Sequence, residues 1–403
     1  MEENRENRLR NMAAENREGC RKRKLRVESI PGLRRTGMEI HQQRMVKAQE
    51  LLAKLDFDFM ALFPSSNMLY LSGFYDEPGE RMLLLLVPRE GEPIFLVPEL
   101  YEEQIKQESP FQDIRIWRDS DNPMNLLRRT VLDLAVREGK VLVDDGMWAK
   151  FFLMLREALP KAKFSLVSRV MVPLRMQKTA HEIHCLEQAG AIADETFEEI
   201  IRSKITGMTE LTLATALEEA MKERGAEKVA FVLVASGPNS ALPHYGGGQR
   251  RIEPGDVVIL DYGCRIQGYC SDITRTIVCK EASKEIQAVY EIVERAQDKA
   301  VQAIRPGVKA EEIDQAARQE ITKAGYGERF IHRTGHGIGL DVHEEPYIVE
   351  ANHLELRQGM AFSVEPGIYL PGQFGIRIED IVVVTQRGAQ RMNRCTHTLQ
   401  IVE

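Results

Sequence analysis

Residues 257–276 have the sequence VVILDYGCRIQGYCSDITRT. The apolar run 257–260 predicts a buried strand that ends at the carboxylate of Asp261. A second acid, Asp272, follows eleven residues later, and Gln267-Gly268 between them is typical of a hairpin tip. We therefore expect Asp261 and Asp272 to lie roughly opposite each other on two paired strands, with their Cβ atoms about 5 Å apart.

Two carboxylates held this close repel each other unless they share a proton or a cation. A bound cation would therefore account for the pair. The alternative is an ordinary ion pair on a solvated face, in which Asp261 binds Arg265 or Arg275. The hairpin sequence alone leaves both interpretations open.

A histidine among glycines follows in the segment TGHGIGL, residues 334–340. The glycines let the backbone approach closely and leave the imidazole of His336 free to reach a ligand. The spacing does not fit a dinucleotide-binding fingerprint. A single histidine in such a segment is more often structural, so His336 is a candidate only in combination with other residues.

Two more acids complete a set of potential metal ligands. Glu365 lies in the segment VEPG, and Glu379 lies in IRIED, where strand alternation places Arg377 on the same face as Glu379. Four carboxylates and one imidazole suit two bridged divalent ions, Mn²⁺, Co²⁺ or Zn²⁺, because bridging carboxylates neutralise both ions and thiolates are not required. The set is Asp261, Asp272, His336, Glu365 and Glu379.

Hydrophobic patterns predict two domains of different architecture. Before residue 173, strands alternate with helices, which is typical of an α/β domain; the predicted strands are 59–63, 68–71, 82–87, 93–97, 140–143 and 163–167, and the predicted helices begin at Met38 and span 125–138 and 149–159. After residue 173, paired helices precede strands, which favours an α+β domain; the predicted helices are 181–204, 211–224, 285–304 and 310–324, and the predicted strands are 231–235, 257–261, 361–364, 367–370, 375–385 and 398–402.

Composition excludes several function classes. The 403 residues carry a formal charge of −7, but residues 1–36 contain 11 Lys/Arg against 6 Asp/Glu, so the remaining 367 residues carry −12. This acidic body disfavours nucleic acid as the main partner, and the basic extension 1–36 is interpreted as solvated or disordered. No apolar run is long enough to cross a membrane, and no secretory signal is evident. The six irregularly spaced cysteines favour reduced thiols in a cytoplasm.

The ordered motifs DYG, SDITRT, GHGIG, VEPG and RIED resemble those of the pita-bread metallopeptidases of family M24, which includes creatinase, prolidase, aminopeptidase P and methionine aminopeptidase. The segment SNMLYLSGF, residues 66–74, resembles the creatinase-type N-terminal domain of prolidases and aminopeptidases P, a domain that methionine aminopeptidases usually lack. The resemblance covers residues 38–403. It implies a creatinase-like N-terminal domain at 37–172 and a pita-bread catalytic domain at 173–403.

The resemblance also implies roles for individual residues. Asp261, Asp272, His336, Glu365 and Glu379 match the five metal ligands, with Mn or Co favoured and Zn as the other candidate. Glu365 would also act as general base and then acid while a metal-bridging hydroxide attacks the scissile carbonyl. Three histidines and an arginine match further active-site positions: His244, His332, His343 and Arg377.

The expected substrate is a small peptide with proline at its second position, because the tertiary amide before proline is handled poorly by general peptidases. We expect a cytoplasmic homodimer with no nucleic-acid or membrane partner. The sequence leaves open whether dipeptides or longer peptides are cleaved. Two alternatives remain: a creatinase-like C–N hydrolase of a small non-peptide substrate, and a non-catalytic pita-bread binding module. Cys264 and Cys270 are interpreted as buried rather than as metal ligands.

Overall fold

A computed structural model describes residues 31–134 and 139–403. The chain divides into two compact units, one ending at Leu174 and the other spanning Arg175–Glu403. Residues 1–30 of the predicted extension and the last part of the helix predicted at 125–138 lie outside the described residues. Helix α1 (Pro31–Lys54) begins before the predicted start at Met38. No helix in the described ranges is long and apolar enough to cross a membrane.

The first unit contains a six-stranded mixed sheet. Its strands are β1 (Phe59–Leu62), β2 (Leu84–Pro88), β3 (Ile94–Pro98), β4 (Asp113–Trp117), β5 (Lys140–Val143) and β6 (Lys163–Leu166), in the order β4-β3-β2-β1-β5-β6. Strand β1 pairs antiparallel with β2 and parallel with β5. The helices that follow α1 are α2 (Ser66–Ser72), α3 (Glu102–Glu108), α4 (Pro123–Asp133) and α5 (Ala149–Ala158). Leu127 of α4 and Phe151 of α5 share a buried core with Phe59 and Ala61, because alternate residues of a strand face the same side of the sheet.

The strand predicted at 68–71 is wrong, because this segment belongs to helix α2. Ser65 caps the helix by accepting a hydrogen bond from the Met68 N–H at 3.3 Å, and Gly73 ends it with φ of 79°. The caps lie outside the apolar run MLYL, and a short apolar run does not distinguish helix from strand. Helix α3 and strand β4 were also absent from the sequence prediction.

The second unit contains two pairs of helices and three sheets. Helix α6 (Ser168–Met176) crosses the division between the units; α7 (Ala180–Ile200) and α8 (Glu210–Glu223) form the first pair, and α9 (Lys284–Ala303) and α10 (Ala310–Lys323) the second. Phe197 and Leu217 of the first pair share a core with Leu260, and Val293 of the second pair shares another with Phe362. The strands are β7 (Lys228–Ser236), β8 (Val257–Ile266), β9 (Tyr269–Cys270), β10 (Ile273–Cys279), β11 (Gly335–Gly337), β12 (Glu344–Ile348), β13 (Ala361–Val364), β14 (Gly367–Leu370), β15 (Phe374–Arg377), β16 (Asp380–Thr385), β17 (Gly388–Arg391) and β18 (Gln400–Val402).

Each sheet of the second unit contributes strands that carry the predicted site residues. The sheet orders are β18-β10-β8-β7, with β9 on β8, then β12-β11-β13-β16-β17, and the hairpin β14-β15. Consecutive strands in these sheets run antiparallel except for β10 and β18, which are parallel. The arrangement is the α+β layout that the sequence predicts for this half of the chain.

The two aspartates do not lie directly opposite each other in the hairpin, so that expectation was wrong. Gln267 and Gly268 form the predicted tip, with φ of 48° and 81°, and Ile266 pairs with Tyr269. In that register Thr274, not Asp272, lies opposite Asp261. Asp272 is displaced by two residues, so the two aspartates are diagonal neighbours on one face rather than a direct pair.

The strand predicted at 375–385 is interrupted. Strand β15 ends at Arg377 and β16 begins at Asp380, and between them the Glu379 N–H donates to the Thr274 carbonyl at 3.1 Å. Ile376 and Ile378 are buried in the core, which agrees with the predicted alternation. The hydrogen bond within this interruption joins the segment that carries Glu379 to strand β10.

Candidate metal centre

Three of the predicted ligands form a tight buried cluster. Asp272, His336 and Glu379 each offer one ligand atom, and these atoms lie within 4.8 Å of one another. The Nε2 of His336 is 3.6 Å from Oδ2 of Asp272. The three residues come from the end of the β8–β10 hairpin, from β11 and from the β15–β16 junction, so three separate parts of the chain converge here.

Glu365 and Asp261 adjoin this cluster. The Oε1 of Glu365 is 3.3 Å from Nε2 of His336. Asp261 and Glu365 both act electrostatically on Asp272, which places their charges close to it. The structure therefore brings all five predicted ligands together.

The alternative ion pairs of Asp261 are wrong. Arg275 is buried and binds Asp380 at 2.7 Å, and Arg265 donates to the carbonyl of Leu340 at 2.9 Å. Asp261 instead accepts a hydrogen bond from Nη2 of Arg377 at 2.5 Å. The predicted arginine is thus part of the site, whereas the two arginines of the hairpin are not partners of Asp261.

Burial and mutual repulsion disfavour the ionised form of the clustered acids. Burial, followed by the charges of Glu379, Asp261 and Glu365, raises the pKa of Asp272 well above its ordinary value. Burial and the charges of Glu365 and Asp261 do the same to the pKa of Glu379. Burial lowers the pKa of His336 to about 4, so its imidazole is neutral near pH 7 and able to act as a ligand.

Unpaired oxygen atoms show that a cation fits the cluster. Within the described residues, Oδ1 of Asp261, Oδ1 of Asp272 and Oε1 of Glu379 are buried and have no hydrogen-bond partner. Buried carboxylate oxygens in this state are costly unless they coordinate a metal ion. Oxygen donors with one imidazole nitrogen are a suitable set for Mn²⁺, Co²⁺ or Zn²⁺.

The neighbouring glycines and a serine fix His336. A Cβ atom on Gly335 would lie 1.9 Å from the carbonyl oxygen of Ser363, so only glycine allows this approach of β11 to β13. The Nδ1 of His336 lies 3.0 Å from the Gly337 carbonyl, and the His336 N–H donates to Oγ of Ser363 at 3.0 Å. Because Nδ1 faces a carbonyl, it carries the proton and leaves Nε2 as the lone-pair donor.

A chain of hydrogen bonds joins His332 to the cluster through Tyr369, which the sequence analysis missed. The Oη of Tyr369 is 2.9 Å from Nε2 of His332 and accepts from Nη1 of Arg377, also at 2.9 Å. The Nδ1 of His332 lies 2.7 Å from the Arg333 carbonyl, so both ring nitrogens are engaged. Burial lowers the pKa of His332.

Thr274 and Ser363 were missed as well. The Oγ1 of Thr274 donates to Oε2 of Glu379 at 2.6 Å and accepts from Nε of Arg377 at 3.1 Å. The Oγ of Ser363 donates to Oε1 of Glu365 at 3.0 Å. Thr274 lies two residues after Asp272 and Ser363 two residues before Glu365, so strand alternation was the signal that could have identified them.

The other two predicted histidines lie at the exposed side of the cluster. The ring of His343 is 4.2 Å from that of His336, centroid to centroid, and burial together with His336 lowers the pKa of His343. His244 is exposed and near enough to His332 to act on its charge. His343 therefore lies beside a member of the cluster, and His244 lies near His332.

The cysteines of the hairpin are buried and do not enter the cluster. The Sγ of Cys264 donates to the Ala189 carbonyl at 3.6 Å, and that of Cys270 to the Leu340 carbonyl at 3.6 Å. Burial raises the pKa of Cys264 to about 11 and that of Cys270 to about 12. Their protonated thiols agree with the interpretation as buried residues.

Two models of known protein families match this chain. Residues 184–386 match the model of metallopeptidase family M24, and residues 44–177 match the creatinase/prolidase N-terminal domain. The chain belongs to metallopeptidase family M24. The predicted family and fold class, an α/β creatinase-like domain with an α+β pita-bread catalytic domain, are thereby confirmed. As a metallopeptidase of this family it is an enzyme that uses divalent metal ions and acts on small peptides.

Relatives of this M24 chain have similar length. It is 40% identical to a probable dipeptidase PepE from Mycobacterium tuberculosis, over 92% of this chain and 99% of that protein. It is 37% identical to an Xaa-Pro dipeptidase from Lactobacillus helveticus, over 88% of this chain and 98% of the relative. The solved structure of a prolidase from Thermococcus sibiricus superimposes with a TM-score of 0.87 at 41% identity, covering 90% of this chain and 99% of the other.

Proposed function

We propose that the chain is a dinuclear metallopeptidase that hydrolyses the peptide bond before proline. The observation that carries this proposal is the convergence of Asp272, His336 and Glu379 within 4.8 Å, with unpaired carboxylate oxygens in the same cluster. The Xaa-Pro dipeptidase and prolidase among its relatives support the substrate assignment. The non-catalytic and creatinase-like alternatives are not favoured, because all five expected ligands are present and adjacent.

The proposed ligands of two divalent ions are Asp261, Asp272, His336, Glu365 and Glu379. Three buried carboxylate oxygens without partners support this set. Manganese and cobalt are the favoured metals and zinc is the third candidate, because one imidazole and no thiolate contribute. When bound, such ions lower the pKa of a water molecule towards neutrality and polarise a substrate carbonyl.

Glu365 is the proposed general base and acid. Its Oε1 accepts from Oγ of Ser363 at 3.0 Å, which fixes the carboxylate beside His336. Its side chain is 15% exposed, whereas that of Asp272 is 4% exposed, so Glu365 is the more accessible of the two to water and substrate. Glu365 would take a proton from the attacking water and deliver it to the leaving nitrogen.

Arg377 and the three histidines receive different roles. His343 and His244, both exposed, would bind the oxyanion or the proline end of the substrate. His332 has both ring nitrogens engaged, so its role is to orient Tyr369 and, through it, Arg377. Arg377 in turn orients Asp261.

The proposed domains are the creatinase-like domain at 37–172 and the catalytic domain at 173–403. The division of the chain after Leu174 supports this boundary. The proposal includes a homodimer in a cytoplasmic setting, without nucleic-acid or membrane partners. Sedimentation analysis tests the dimer.

A metal-reconstituted assay tests the reaction. We expect no hydrolysis of Xaa-Pro peptides by protein stripped of metal, and activity after addition of Mn²⁺, Co²⁺ or Zn²⁺. His336→Ala and Asp272→Ala should abolish hydrolysis. His353→Ala is the matched control, because His353 is a surface residue paired with Glu311. A purified protein that binds no divalent ion and gains no activity from one would contradict the proposal.

The choice of peptide length is tested separately. Gly-Pro and Met-Pro dipeptides are compared with an Xaa-Pro-Xaa tripeptide under the same metal conditions. The dipeptidase relatives lead us to expect preferential cleavage of the dipeptides. Preference for the tripeptide would assign the protein to the aminopeptidase P type instead.

A further inference from the structure

The ring of His343 contacts the ring of His336 but makes no recorded hydrogen bond in the described part of the chain. Its ring centroid lies 4.2 Å from that of His336 at an interplanar angle of 57°, yet the residue is exposed. Within the described ranges the structure records no hydrogen bond to the ring nitrogens of His343. Apart from this ring contact, the backbone segment that carries His343 sets the position of the imidazole.

Two carboxylates near His343 in the chain, Asp341 and Glu344, are both bound by Arg175, and Glu344 is also bound by Lys178. The Nη2 of Arg175 donates to Oδ2 of Asp341 at 2.6 Å and to Oε2 of Glu344 at 2.5 Å. The Nζ of Lys178 donates to Oε1 of Glu344 at 2.6 Å. Both sides of His343 are thus tied to α6 and to the residues directly after it.

Burial makes the contacts of Glu344 with its two cations unlike an ordinary surface ion pair, whereas the side chain of Asp341 is 43% exposed. The side chain of Lys178 is 1% exposed, that of Glu344 10% and that of Arg175 11%. Exposed pairs contribute little and exchange partners freely, whereas a buried charge that loses its partner is strongly destabilising. Because two cations face two anions, the formal charges of the cluster balance. Glu344 accordingly has little freedom to move away from its partners.

Glu344 also contacts the glycine-rich segment that carries His336. Glu344 pairs with Gly337 in the β11–β12 ladder. A Cβ atom on Gly339 would lie 2.7 Å from Oε1 of Glu344, so the carboxylate lies directly against this segment. Glu344 therefore follows His343 directly in the chain, and its side chain lies against the segment that carries His336.

We propose that Glu344, held by Arg175 and Lys178, is a positioning residue that fixes His343 beside His336. Glu344 does not touch substrate in this proposal; it acts through His343. The effect on catalysis rests on the proposed function, in which His343 binds the reacting end of the peptide.

The test variant is Glu344→Gln, which keeps the shape of the side chain but replaces charge-assisted bonds by neutral ones. The chain offers a matched control in Glu320→Gln. Glu320 is likewise bound by one arginine and one lysine, Arg295 and Lys299, and its side chain is 12% exposed on the α9–α10 helix pair. Any general cost of removing a clamped carboxylate is therefore seen in the control.

We expect Glu344→Gln to lower kcat about tenfold, the size of a lost charged hydrogen bond, with bound metal unchanged. In a His343→Ala background the same substitution should cost less than about twofold, because the group that it positions is absent. Glu320→Gln should leave kcat and KM unchanged. An equal loss in both backgrounds would show that Glu344 acts independently of His343 and would overturn the proposal.

Hydrogen exchange gives a readout that needs no activity. We expect backbone amides of residues 338–348 to exchange at least about fivefold faster in Glu344→Gln than in the native protein, and no change there in Glu320→Gln. Unchanged exchange would overturn the positioning role even if the peptidase assay succeeds. Failure of the native protein to cleave any Xaa-Pro peptide would overturn the proposed function, while the exchange result would still decide this inference.

A second variant guards against misfolding of the single substitution. Lys178→Met combined with Glu344→Gln removes one buried charge of each sign, so no unpaired charge remains at this position. The double variant is expected to fold and to show the same faster exchange at 338–348. Native exchange rates in a folded double variant would contradict the proposal.

Discussion

Arg377 and Asp261 are joined by a hydrogen bond of 2.5 Å from Nη2 to Oδ2, while Oδ1 of the same carboxylate has no hydrogen-bond partner within the described residues. The two oxygens of Asp261 therefore have different functions. One fixes the orientation of the group and the other faces the cluster of acids. The guanidinium thus fixes the orientation of a carboxylate that we propose as a metal ligand.

Arg377→Lys should lower kcat/KM about 100-fold or more, because the contacts with Thr274, Tyr369 and Asp261 come from three separate nitrogens of the guanidinium, and lysine has a single nitrogen. Steady-state kinetics and metal analysis check the result. Arg81→Lys is the control, since Arg81 makes a two-bond contact with Asp119 on the surface of the first unit. Activity within about tenfold of the native protein would show that the three contacts of the guanidinium are dispensable.

Removal of metal should destabilise the second unit at neutral pH. The ions neutralise acids that otherwise repel each other, and a ligand at about 100 times its Kd adds about 3 kcal/mol. Calorimetry should show a decrease in Tm of about 5–10 °C after chelation and recovery on adding Mn²⁺. Asp272→Asn should no longer respond to Mn²⁺. An unchanged Tm in protein shown to be metal-free would contradict the assignment.

Gly335→Ala should destabilise the second unit by about 3 kcal/mol or more, because its Cβ would lie 1.9 Å from a backbone oxygen of Ser363 that cannot move aside. Gly246→Ala is the matched control, since a Cβ there has no neighbour within 4 Å. The control should change stability by less than about 0.5 kcal/mol. Urea unfolding followed by far-ultraviolet circular dichroism distinguishes the two, and equal stability would refute the close approach.

His41 should make the first unit sensitive to acid. Burial lowers its pKa to about 4, below the ordinary 6.5, so the folded state favours the neutral ring. The unfolded state then binds more protons, and stability that is complete above pH 6.5 is lost as the pH falls from 6.5 towards 4.

His41→Asn keeps a donor near Nδ1, which faces the Tyr70 carbonyl at 3.0 Å, but cannot be protonated. The native protein should lose about 2 kcal/mol of its free energy of unfolding at pH 5 through this histidine, and the variant should not. Tryptophan fluorescence follows the first unit, because Trp117 and Trp148 are the two tryptophans of the chain. The same dependence on pH in both proteins would exclude His41 as its source.

The motifs predicted which residues lie together better than they predicted local geometry. His336 lies between two glycines and Glu365 lies beside a proline. Asp272 and Glu379 each lie directly before a strand, whereas Asp261 lies within β8. Tyr369 has no such neighbour motif, and its place between His332 and Arg377 depends on the β14–β15 hairpin. Contacts of this kind depend on tertiary packing, which a pattern of residue types does not contain.

Two errors have simple physical reasons. The two-residue tip at Gln267-Gly268 requires Asp261 to face Thr274, so counting outward from the tip would have given the correct register. The apolar run of α2 has no period long enough to distinguish helix from strand, and only its flanking caps at Ser65 and Gly73 reveal the helix. The register of the hairpin could have been predicted from the sequence. Helix α2 could have been predicted only by giving its capping residues more weight than its apolar run.

The buried thiols have a consequence for the behaviour of the protein under oxidants. Peroxide and alkylating reagents react with accessible thiolates, but Cys264 and Cys270 are buried and stay protonated, and the acid cluster contains no sulfur ligand. The proposed mechanism accordingly assigns no role to a cysteine. We therefore expect Cys264 and Cys270 of the folded protein to stay unmodified when such reagents are added.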